Sequence, residues 1–339
     1  MKSWSLGGSS RDSLNIIDTE IPTPGPGEVL VRVANVSLNY RDLLVISGQM
    51  GVGKPEPFTP GSDMAGVVTA IGQGVSRFAM GDRVISTYVP GWIDGRGLGN
   101  AATPYGITMG GPLQGVLAEY IAVPADWLVR APASLDDAQA STLPIAGVTA
   151  WFSLIEEGKL KAGETVLVQG TGGVAMFAIQ VAKAHGAKVI ITSSDDQKLA
   201  RAKALGADVG INRLKGDWAQ AVLEATGGHG ADHILEIAGG PGLAKSAQAC
   251  AVGGRIYVIG VIEGFELAAP VFPVLLKQLH VQGIFVGHRR AAEDFVRAVD
   301  GLGLKPVIDH RYPFAALQDA LDHLERGPFG KVVIDVQGA

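Results

Sequence analysis

The sequence has little cysteine, few charged residues and no basic cluster. Cys250 is the single cysteine among 339 residues, so a disulfide within the chain and a cysteine-rich zinc module are both excluded. Charged residues make up 18% of the chain and the formal net charge is −5. Because no lysine- and arginine-rich run occurs, nucleic acid is not expected as a partner.

Long apolar runs are also missing. No stretch of about twenty apolar residues is present to span a bilayer. The N-terminal segment MKSWSLGGSSRDSLNI has no continuous apolar stretch of the kind that a secretory signal needs. We therefore expect a soluble protein of a reducing compartment, most simply the cytoplasm, with no membrane as partner.

Hydrophobic residues and glycine are abundant. Hydrophobic residues form 47% of the chain, which is enough for sizeable cores, and the length suggests about two domains of roughly 150 residues each. The 47 glycines are spread along the chain rather than gathered in a block. This distribution is typical of many short elements joined by tight turns.

The first third of the chain is predicted to be rich in β-strands. The runs GEVLVRVANVSL, GVVTAIGQGV, GDRVIS and AEYIAVP are short, rich in Val and Ile, and bounded by Gly or Pro. Between the last two runs, residues 87–115 show little periodicity and contain Tyr88, Trp92 and Tyr105. A loop of this length is usually functional or an interface, and its aromatic residues suit a flat substrate or a partner subunit.

The pattern changes near Pro144, after which predicted strands and helices alternate. TVLVQG, AKVIITSS, DVGIN, ADHILEIAG and RIYVIGV are predicted strands, separated by helical segments. The last of these helices, GLAKSAQACAVGG, includes Cys250, which we expect to be buried and inert. This alternation predicts a parallel sheet with helices on both faces. Residues 289–339 resemble the first third and are expected to pack against it.

The strongest local signal is the segment TVLVQGTGGVAMFAIQ. Gly170, Gly172 and Ala175 occupy the three positions of a G-x-G-x-x-G/A loop that follows a predicted strand and opens a predicted helix. The first glycine permits the tight turn and the second lets the backbone approach a pyrophosphate. The helix N-terminus would bind the diphosphate through free N–H groups and the helix dipole. The segment therefore predicts a dinucleotide site.

The end of the second strand of this unit favours NADPH over NADH. An NAD site places Asp or Glu there, about twenty residues after the loop, whereas this chain has Ser193. A serine hydroxyl can donate to a 2′-phosphate, and Lys198 and Arg201 could add positive charge. Asp195 and Asp196 would weaken this prediction if either side chain turned inward, so NADH remains the alternative.

At this point the chain resembles the medium-chain dehydrogenase/reductase superfamily, and within it the zinc-free quinone oxidoreductase-like branch. The resemblance covers essentially the full length and depends on the motifs SLNYRDL, PGSDMAGVV, GDRV, AEYIAVP, LPIAGVTAW, GTGGVA, AKALGAD and FGKVVIDV. It implies an α/β fold in which a Rossmann-type doubly wound parallel sheet domain, residues 146–288, is inserted into a GroES-like β-rich catalytic domain, residues 1–145 plus 289–339. The active site would lie in the cleft, and homodimers are common.

The resemblance also implies the cofactor contacts. Thr149 and Val261 would lie by the nicotinamide, and Ser193 and Lys198 at the adenosine ribose. The diphosphate would be held by the loop and helix start that the motif already marks, namely Gly170, Gly172, Gly173 and Val174.

The zinc-dependent members of the superfamily bind catalytic zinc through a Cys, a His-Glu pair and a second Cys. Here the first position is Asn39, the pair is Ser62-Asp63, and the second Cys has no counterpart near Pro144. The four-cysteine structural zinc lobe would fall in residues 87–115, which have no cysteine. Asn and Ser are poor zinc ligands, so no metal is expected.

Without a metal, hydride transfer to an electron-poor acceptor is easier than polarisation of a simple ketone or alcohol. We therefore expect an NADPH-dependent oxidoreductase acting on a quinone or an α,β-unsaturated carbonyl. Asn39 and Tyr40 are the candidate catalytic residues, for orienting substrate or water and for proton donation. Several quinone reductases of this branch have a tyrosine where this chain has Leu44 and Val45, which leaves the proton donor open.

The neighbouring Asp42 is expected to be a buried framework residue that needs a partner, with Arg41 and Lys331 as candidates. Two other functions remain alternatives. One is an alcohol or aldehyde dehydrogenase of the same superfamily that uses zinc. The other is a non-catalytic NADPH-binding protein. The sequence does not identify the physiological substrate.

Overall fold

A computed structural model describes residues 1–51, 53, 55–103 and 107–337. Tyr105 lies outside the described residues. The chain forms two compact units, residues 1–148 with 287–339, and residues 149–286. The domain boundaries predicted from the sequence, 145/146 and 288/289, remain predictions.

The described residues contain strands and helices in the following order along the chain. The strands are β1 (Lys2–Leu6), β2 (Leu14–Asp18), β3 (Glu28–Leu38), β4 (Asp63–Ile71), β5 (Arg83–Ser86), β6 (Tyr120–Pro124), β7 (Leu128–Arg130), β8 (Thr165–Gln169), β9 (Lys188–Ser193), β10 (Val209–Asn212), β11 (Ala231–Glu236), β12 (Cys250–Val258), β13 (His280–Gly283), β14 (Ile308–Pro313) and β15 (Lys331–Asp335). The helices are α1 (Tyr40–Ile46), α2 (Asp137–Ala140), α3 (Val148–Trp151), α4 (Gly173–Ala184), α5 (Asp196–Ala204), α6 (Trp218–Ala225), α7 (Gly242–Ala249), α8 (Val271–Leu276), α9 (Arg289–Leu302) and α10 (Leu317–Glu325). Two π-helical segments, Leu143–Gly147 and Phe152–Glu157, flank α3.

The first unit is built on a mixed sheet whose strand order is β14-β15-β3-β4-β5-β7, with β6 also paired to β3. The long strand β3 is central because its valines are buried: Val29, Val31, Val33 and Val36 are fully enclosed. The C-terminal strand β15 pairs antiparallel with β3, which places Lys331 beside the end of β3. Strands β14 and β15 near the C-terminus therefore belong to the same sheet as β3 and β4 of the first third.

The second unit contains a sheet of order β10-β9-β8-β11-β12-β13, in which each neighbouring pair of strands is parallel. All five residues of β8 are buried, as expected for a strand covered by helices on both faces. The chain runs outward from β8 to β9 and β10, and then returns to β11 on the other side of β8. The carboxyl ends of β8 and β11 thus form a topological switch point, where ligands of such sheets bind.

One predicted element is wrong in its extent. The helix predicted to include Cys250 ends at Ala249, and Cys250 is the first residue of β12. Cys250 is paired in parallel register with Ala231 of β11. The Lys277 ammonium donates to the backbone carbonyls of Ala247, Gln248 and Cys250. Long-range pairing therefore ends a helix that local alanine content would extend. Cys250 is buried, as predicted, and burial raises its pKa to about 12.

The predicted long loop has no helix or strand between β5 and β6 among the residues described. Its aromatic side chains Tyr88 and Trp92 are both buried. The backbone carbonyls of Trp92 and Ile93 accept the N–H groups of Arg289 and Arg290 at the start of α9. Helix ends leave such N–H groups unpaired, so this contact anchors the loop. None of the described helices is both long and apolar enough for a membrane span.

Candidate active site and cofactor site

The motif SLNYRDLL forms the end of β3 and the first turn of α1, with Asn39 as the N-cap residue. The Asn39 side chain is almost fully buried and its amide is held on both sides. Its Oδ1 accepts from the Lys331 Nζ at 2.6 Å, and its Nδ2 donates to Asp63 Oδ2 at 3.0 Å. Lys331 also donates to the Leu38 carbonyl at 2.7 Å, and its Nζ lies 4.0 Å from Asp63 Oδ2. Asn39 is thus the centre of a buried polar cluster.

Asp42 is the third residue of α1 and is buried, as predicted. Its Oδ2 accepts the N–H of Asn39 at 2.8 Å, and its Oδ1 is 3.6 Å from the Arg41 guanidinium. The first of these bonds satisfies one of the N–H groups that a helix start leaves free. Of the two predicted partners, Arg41 forms the ion pair, whereas Lys331 acts on Asp42 as a nearby charge without a hydrogen bond. Asp42 therefore shapes the first turn of the helix.

Arg41 ties the 108–111 segment to α1. Its guanidinium donates to the carbonyls of Met109 and Gly111 at 3.2 and 3.3 Å, and also to the Ser62 hydroxyl. The same guanidinium lies 5.1 Å from the ring centroid of Tyr88, a cation–π contact. One buried cation thus fixes both ends of the described loop against the helix that follows Asn39.

The loop also packs closely against the backbone just before β4, at Gly61. A Cβ on Gly115 would lie 2.3 Å from the Gly61 carbonyl oxygen, and a Cβ on Gly110 would lie 2.5 Å from the same atom. Gly110 additionally has a φ of +70°, in the region that favours glycine. These two positions therefore cannot accept a side chain without displacing the backbone.

The buried cluster has unusual electrostatics because its charges are removed from water. Burial raises the pKa of Asp63 to about 7, although Lys331 and Asn39 act in the opposite direction. Burial also raises the pKa of Asp42 and lowers that of Lys331. The pKa of Tyr88 is raised for the same reason. The cluster is therefore sensitive to the loss of any one charged member.

Tyr40, the second predicted catalytic residue, differs from Asn39 in exposure. Its side chain is 40% exposed at the first position of α1. The two residues are adjacent in the chain, but the amide of Asn39 is already bonded while the phenol of Tyr40 is open to solvent. Tyr40 is therefore the more accessible of the two for a reacting molecule.

The predicted phosphate loop has the expected geometry in the second unit. Gly170 follows β8 with a φ of +72°, and its N–H donates to the Thr192 carbonyl of β9 at 2.8 Å. Gly172 is the N-cap of α4, and a Cβ built there would meet nothing within 4 Å. Ala175 is fully buried at the packing position. The backbone at Gly172 and the start of α4, Gly173 and Val174, therefore offer open space and a helix N-terminus to an anion.

Ser193 is the last residue of β9 and is buried. Its hydroxyl accepts the N–H of Asp195 at 3.2 Å. Asp195 caps α5 through the N–H groups of Gln197 and Lys198, while Asp196 bonds to Asn212 and Lys215. Both acidic side chains are thus used locally. The condition that would have weakened the NADPH prediction, a carboxylate turned inward, is not met in these contacts.

The other predicted cofactor residues lie on separate elements of the second unit. Lys198 is half-buried on the first turn of α5. Thr149 is buried in α3, where its carbonyl accepts from the Ser153 hydroxyl at 2.7 Å. Val261 follows β12 and is half-buried. The sheet brings the glycine loop and Ser193 to one edge, whereas the roles of Thr149, Lys198 and Val261 remain predictions.

A cavity of about 370 Å³ lies at this carboxyl edge of the parallel sheet. Gly170 and Thr192 line it, as do apolar side chains that include Trp218. Two cations that the sequence analysis missed, Arg213 and Lys245, also line it. Arg213 follows β10 directly, so a search for cations after the third strand as well as the second would have found it. Lys245 comes from α7, and no local sequence signal marks it.

Two family models match the chain. One, described as the alcohol dehydrogenase GroES-like domain, matches residues 25–133, and the other, described as zinc-binding dehydrogenase, matches residues 173–302. A zinc-type alcohol dehydrogenase-like protein of Schizosaccharomyces pombe is 37% identical over 97% of this chain and 96% of its own. The chain belongs to the medium-chain dehydrogenase/reductase superfamily.

Two further members of the superfamily show its range. The quinone oxidoreductase of Homo sapiens is 27% identical over 94% of this chain and 92% of its own. A crystal structure from Sinorhizobium meliloti 1021, of a protein provisionally named an alcohol dehydrogenase, has a TM-score of 0.96 and 58% identity and covers 98% of both chains. The family and the fold class predicted from the motifs are therefore confirmed. As a member of this superfamily the protein is an oxidoreductase that uses a nicotinamide cofactor and a small-molecule substrate.

The next feature is the set of positions at which zinc-dependent members of the superfamily carry their catalytic zinc ligands. The resemblance described above assigns Asn39, Ser62 and Asp63 to these positions, and the side chain of each contacts a cation of the protein itself. Lys331 lies against Asn39 and Asp63, and Arg41 donates to Ser62. Across the residues that the structure describes, no group of three or more His, Cys, Asp or Glu side chains is placed to hold a metal ion.

Proposed function

We propose that this protein is an NADPH-dependent oxidoreductase that transfers a hydride to a quinone or an α,β-unsaturated carbonyl without a metal. The proposal that the reaction needs no metal is supported by one observation. The residues assigned to the zinc-ligand positions, Asn39, Ser62 and Asp63, are paired with Lys331 and Arg41. A divalent ion about 4 Å from one ammonium would be repelled by about 8 kcal/mol at an effective dielectric constant of 20. The residues present therefore fit an internal cation better than zinc, although the named relatives include a zinc-type protein.

Metal analysis tests this part directly. The purified protein should contain far less than one zinc per chain, and prolonged treatment with a chelator should leave NADPH oxidation unchanged. Near-stoichiometric zinc, with activity lost on chelation and restored by zinc, would instead establish the alternative of a zinc-using alcohol or aldehyde dehydrogenase.

The preference for NADPH is supported by the end of β9. Ser193 stands where a carboxylate would select NADH, and Arg213 lies beside it, because the Arg213 N–H donates to the Ser193 carbonyl at 2.9 Å. The variant Ser193→Glu should weaken NADPH binding and leave NADH binding nearly unchanged, since only NADPH carries a 2′-phosphate. Equal kcat/KM for NADH and NADPH in the wild type would remove the preference.

The cofactor fits the second unit, where Gly170, Gly172, Gly173 and Val174 would hold the diphosphate and Ser193 the ribose. When bound, NADPH would supply the hydride. In the first unit, the proposed role of Tyr40 is to donate a proton through its exposed phenol. The proposed role of Asn39 is to orient substrate or water, with its amide fixed by Lys331 and Asp63. Hydrogen-bond donors of this kind stabilise a developing enolate or phenolate.

A substrate panel tests the proposed reaction. NADPH oxidation, followed by absorbance, should be fastest with quinones and enones and slowest with simple aldehydes and ketones. Turnover confined to alcohols and aldehydes would favour the dehydrogenase alternative, which the names of several relatives support. Tight NADPH binding with no turnover on any member of the panel would favour a non-catalytic NADPH-binding protein.

The proposed oligomeric state is a homodimer. Strand β13 is the edge of the parallel sheet, and the helix before it, α8, exposes four large apolar side chains: Val271, Phe272, Leu275 and Leu276 are each at least 63% exposed. Open sheet edges and exposed apolar faces of this kind are typical of association surfaces. Sedimentation of the wild type should give twice the chain mass of 35.1 kDa, and Leu276→Asp should shift it to one chain. The cytoplasmic location remains a prediction.

A further inference from the structure

The floor of the cavity contains a buried polar network that none of the predicted roles uses. Gln169 ends β8, Glu236 ends the neighbouring strand β11, and Ser246 lies on α7. Glu236 and Ser246 are fully buried and Gln169 is 7% exposed at the cavity. Since burying polar groups at this depth is costly unless they are bonded, the network needs a reason to exist.

The three side chains satisfy one another. The Gln169 Nε2 donates to Glu236 Oε2 at 2.8 Å and to the Ser246 Oγ at 2.9 Å. The Ser246 hydroxyl in turn donates to Glu236 Oε2, and Glu236 Oε1 accepts the N–H of Gly239 at 3.2 Å. Both hydrogens of the amide are therefore used inside the network, and the orientation of the Gln169 side chain is fixed.

The amide oxygen of Gln169 accepts hydrogen bonds from the backbone of the cavity wall. Gln169 Oε1 accepts the N–H of Ile237 at 3.2 Å and the N–H of Ala238 at 3.3 Å. Both residues line the cavity. On their other side, a Cβ on Gly260 would lie 1.9 Å from the Ile237 carbonyl oxygen, so the loop after β12 packs directly on this peptide. The wall is thus clamped between Gln169 and the backbone at Gly260.

We infer that Gln169, oriented by Glu236 and Ser246, is a positioning residue that sets the wall formed by Ile237 and Ala238 for binding the nucleotide cofactor. With both N–H groups bonded to Gln169, the wall presents apolar side chains, which suit the flat face of a base. Arg213 and Lys245 at the same cavity suit its attached phosphates. The inference rests on the proposed function in one respect, that a nicotinamide nucleotide binds at this edge of the sheet.

The test is a set of variants with two readouts, the Kd for NADPH from fluorescence titration and the Tm. Gln169→Leu removes the amide and should raise the Kd about tenfold or more, because two N–H groups and a buried carboxylate lose partners. Gln220→Leu is the matched control. It breaks a Gln–Glu bond of 3.1 Å on the exposed side of α6 and should leave the Kd unchanged.

Exchanging the amide of Gln169 with the carboxylate of Glu236 distinguishes a positioning role from a contribution to stability alone. In Gln169→Glu, two carboxylates face each other and the Kd should rise further. In the double variant Gln169→Glu/Glu236→Gln, the new carboxylate can accept from Ile237, Ala238 and the new amide, so the Kd should return to within about threefold of the wild type.

The outcomes are distinct. A folded Gln169→Leu with wild-type Kd and a lowered Tm would show a purely structural network and overturn the inference, as would a double variant no better than Gln169→Glu. A wild type that binds NADPH but turns over no quinone or enone defeats the proposed reaction and leaves the positioning role standing. A wild type that binds neither nicotinamide nucleotide defeats both.

Discussion

Replacing Asp63 with asparagine is expected to flatten the dependence of stability on pH. Asp63 is fully buried, and its pKa is raised by burial to about 7, compared with 3.8 for the free side chain. Between these two values the folded chain binds more protons at this position than the unfolded chain does. Stability is therefore greatest on the acidic side of the window and falls as the pH rises through it. The variant Asp63→Asn keeps an oxygen for Ile145 and Asn39 but cannot ionise.

The size of the effect follows from the two pKa values. Between pH 5 and pH 8, ionisation of Asp63 should cost the wild type about 2.5 kcal/mol of unfolding free energy. In Asp63→Asn this fall should disappear. The profile should be flat or should rise with pH, because Lys331, whose pKa burial already lowers, also loses its ion-pair partner.

The assay is urea unfolding at several pH values across this range. Asp300→Asn is a useful control of opposite sign: although burial opposes the shift, hydrogen bonds from Ser134 and Ala133 help to lower the pKa of Asp300, so its contribution is lost only as the pH falls toward the acid range. If Asp63→Asn still lost about 2.5 kcal/mol between pH 5 and pH 8, the reasoning about Asp63 would be refuted, and another group, such as Asp42, would have to carry the dependence.

Three further outcomes are expected. Lys331→Met should lower the unfolding free energy by about 3 to 5 kcal/mol, since it leaves Asp63 and Asn39 without their buried cation, whereas Lys2→Met, at an exposed ion pair, should change it by less than about 1 kcal/mol in the same urea titration. Tyr40→Phe should lower kcat about 100-fold with little change in KM for the quinone, and an unchanged kcat would assign the proton to another donor. Gly172→Ala should raise the Kd for NADPH about tenfold without lowering the Tm, because the added methyl meets no protein atom and enters the space left for the diphosphate, while Gly301→Ala should leave the Kd unchanged.

The sequence was sufficient wherever local pattern and long-range packing agree. The alternation of β8, α4, β9 and the following elements could be predicted because each strand is a short apolar run and each helix has its own cap and turn residues. The failure at Cys250 has the opposite cause. Alanine-rich sequence favours continuing α7, but pairing with β11 and the Lys277 ammonium end the helix, and neither is visible locally.

The candidate site could be predicted only in part. The glycine loop and Ser193 were found because a known spacing places them at the edge of one sheet. Gln169, Glu236 and Ser246 are up to 77 residues apart and come together only through crossovers. Of the two candidate partners of Asp42, Arg41 forms the ion pair. The contact of the Lys331 ammonium with Asn39 and Asp63 could not be predicted locally, because it depends on the pairing of β15 with the end of β3.

The contact between the long loop and β4 has a consequence for how this protein can change. Gly110 and Gly115 have no room for a side chain, and Arg41 binds the carbonyls on either side of Gly110, those of Met109 and Gly111, so this part of the loop will tolerate few substitutions. Residues 94–103 are mostly exposed and include neither of these glycines. A mutant library that varies 94–103 while keeping 108–115 constant should therefore retain folded protein at high frequency. New substrate preferences can then be sought where variation is tolerated, on a loop whose base is fixed.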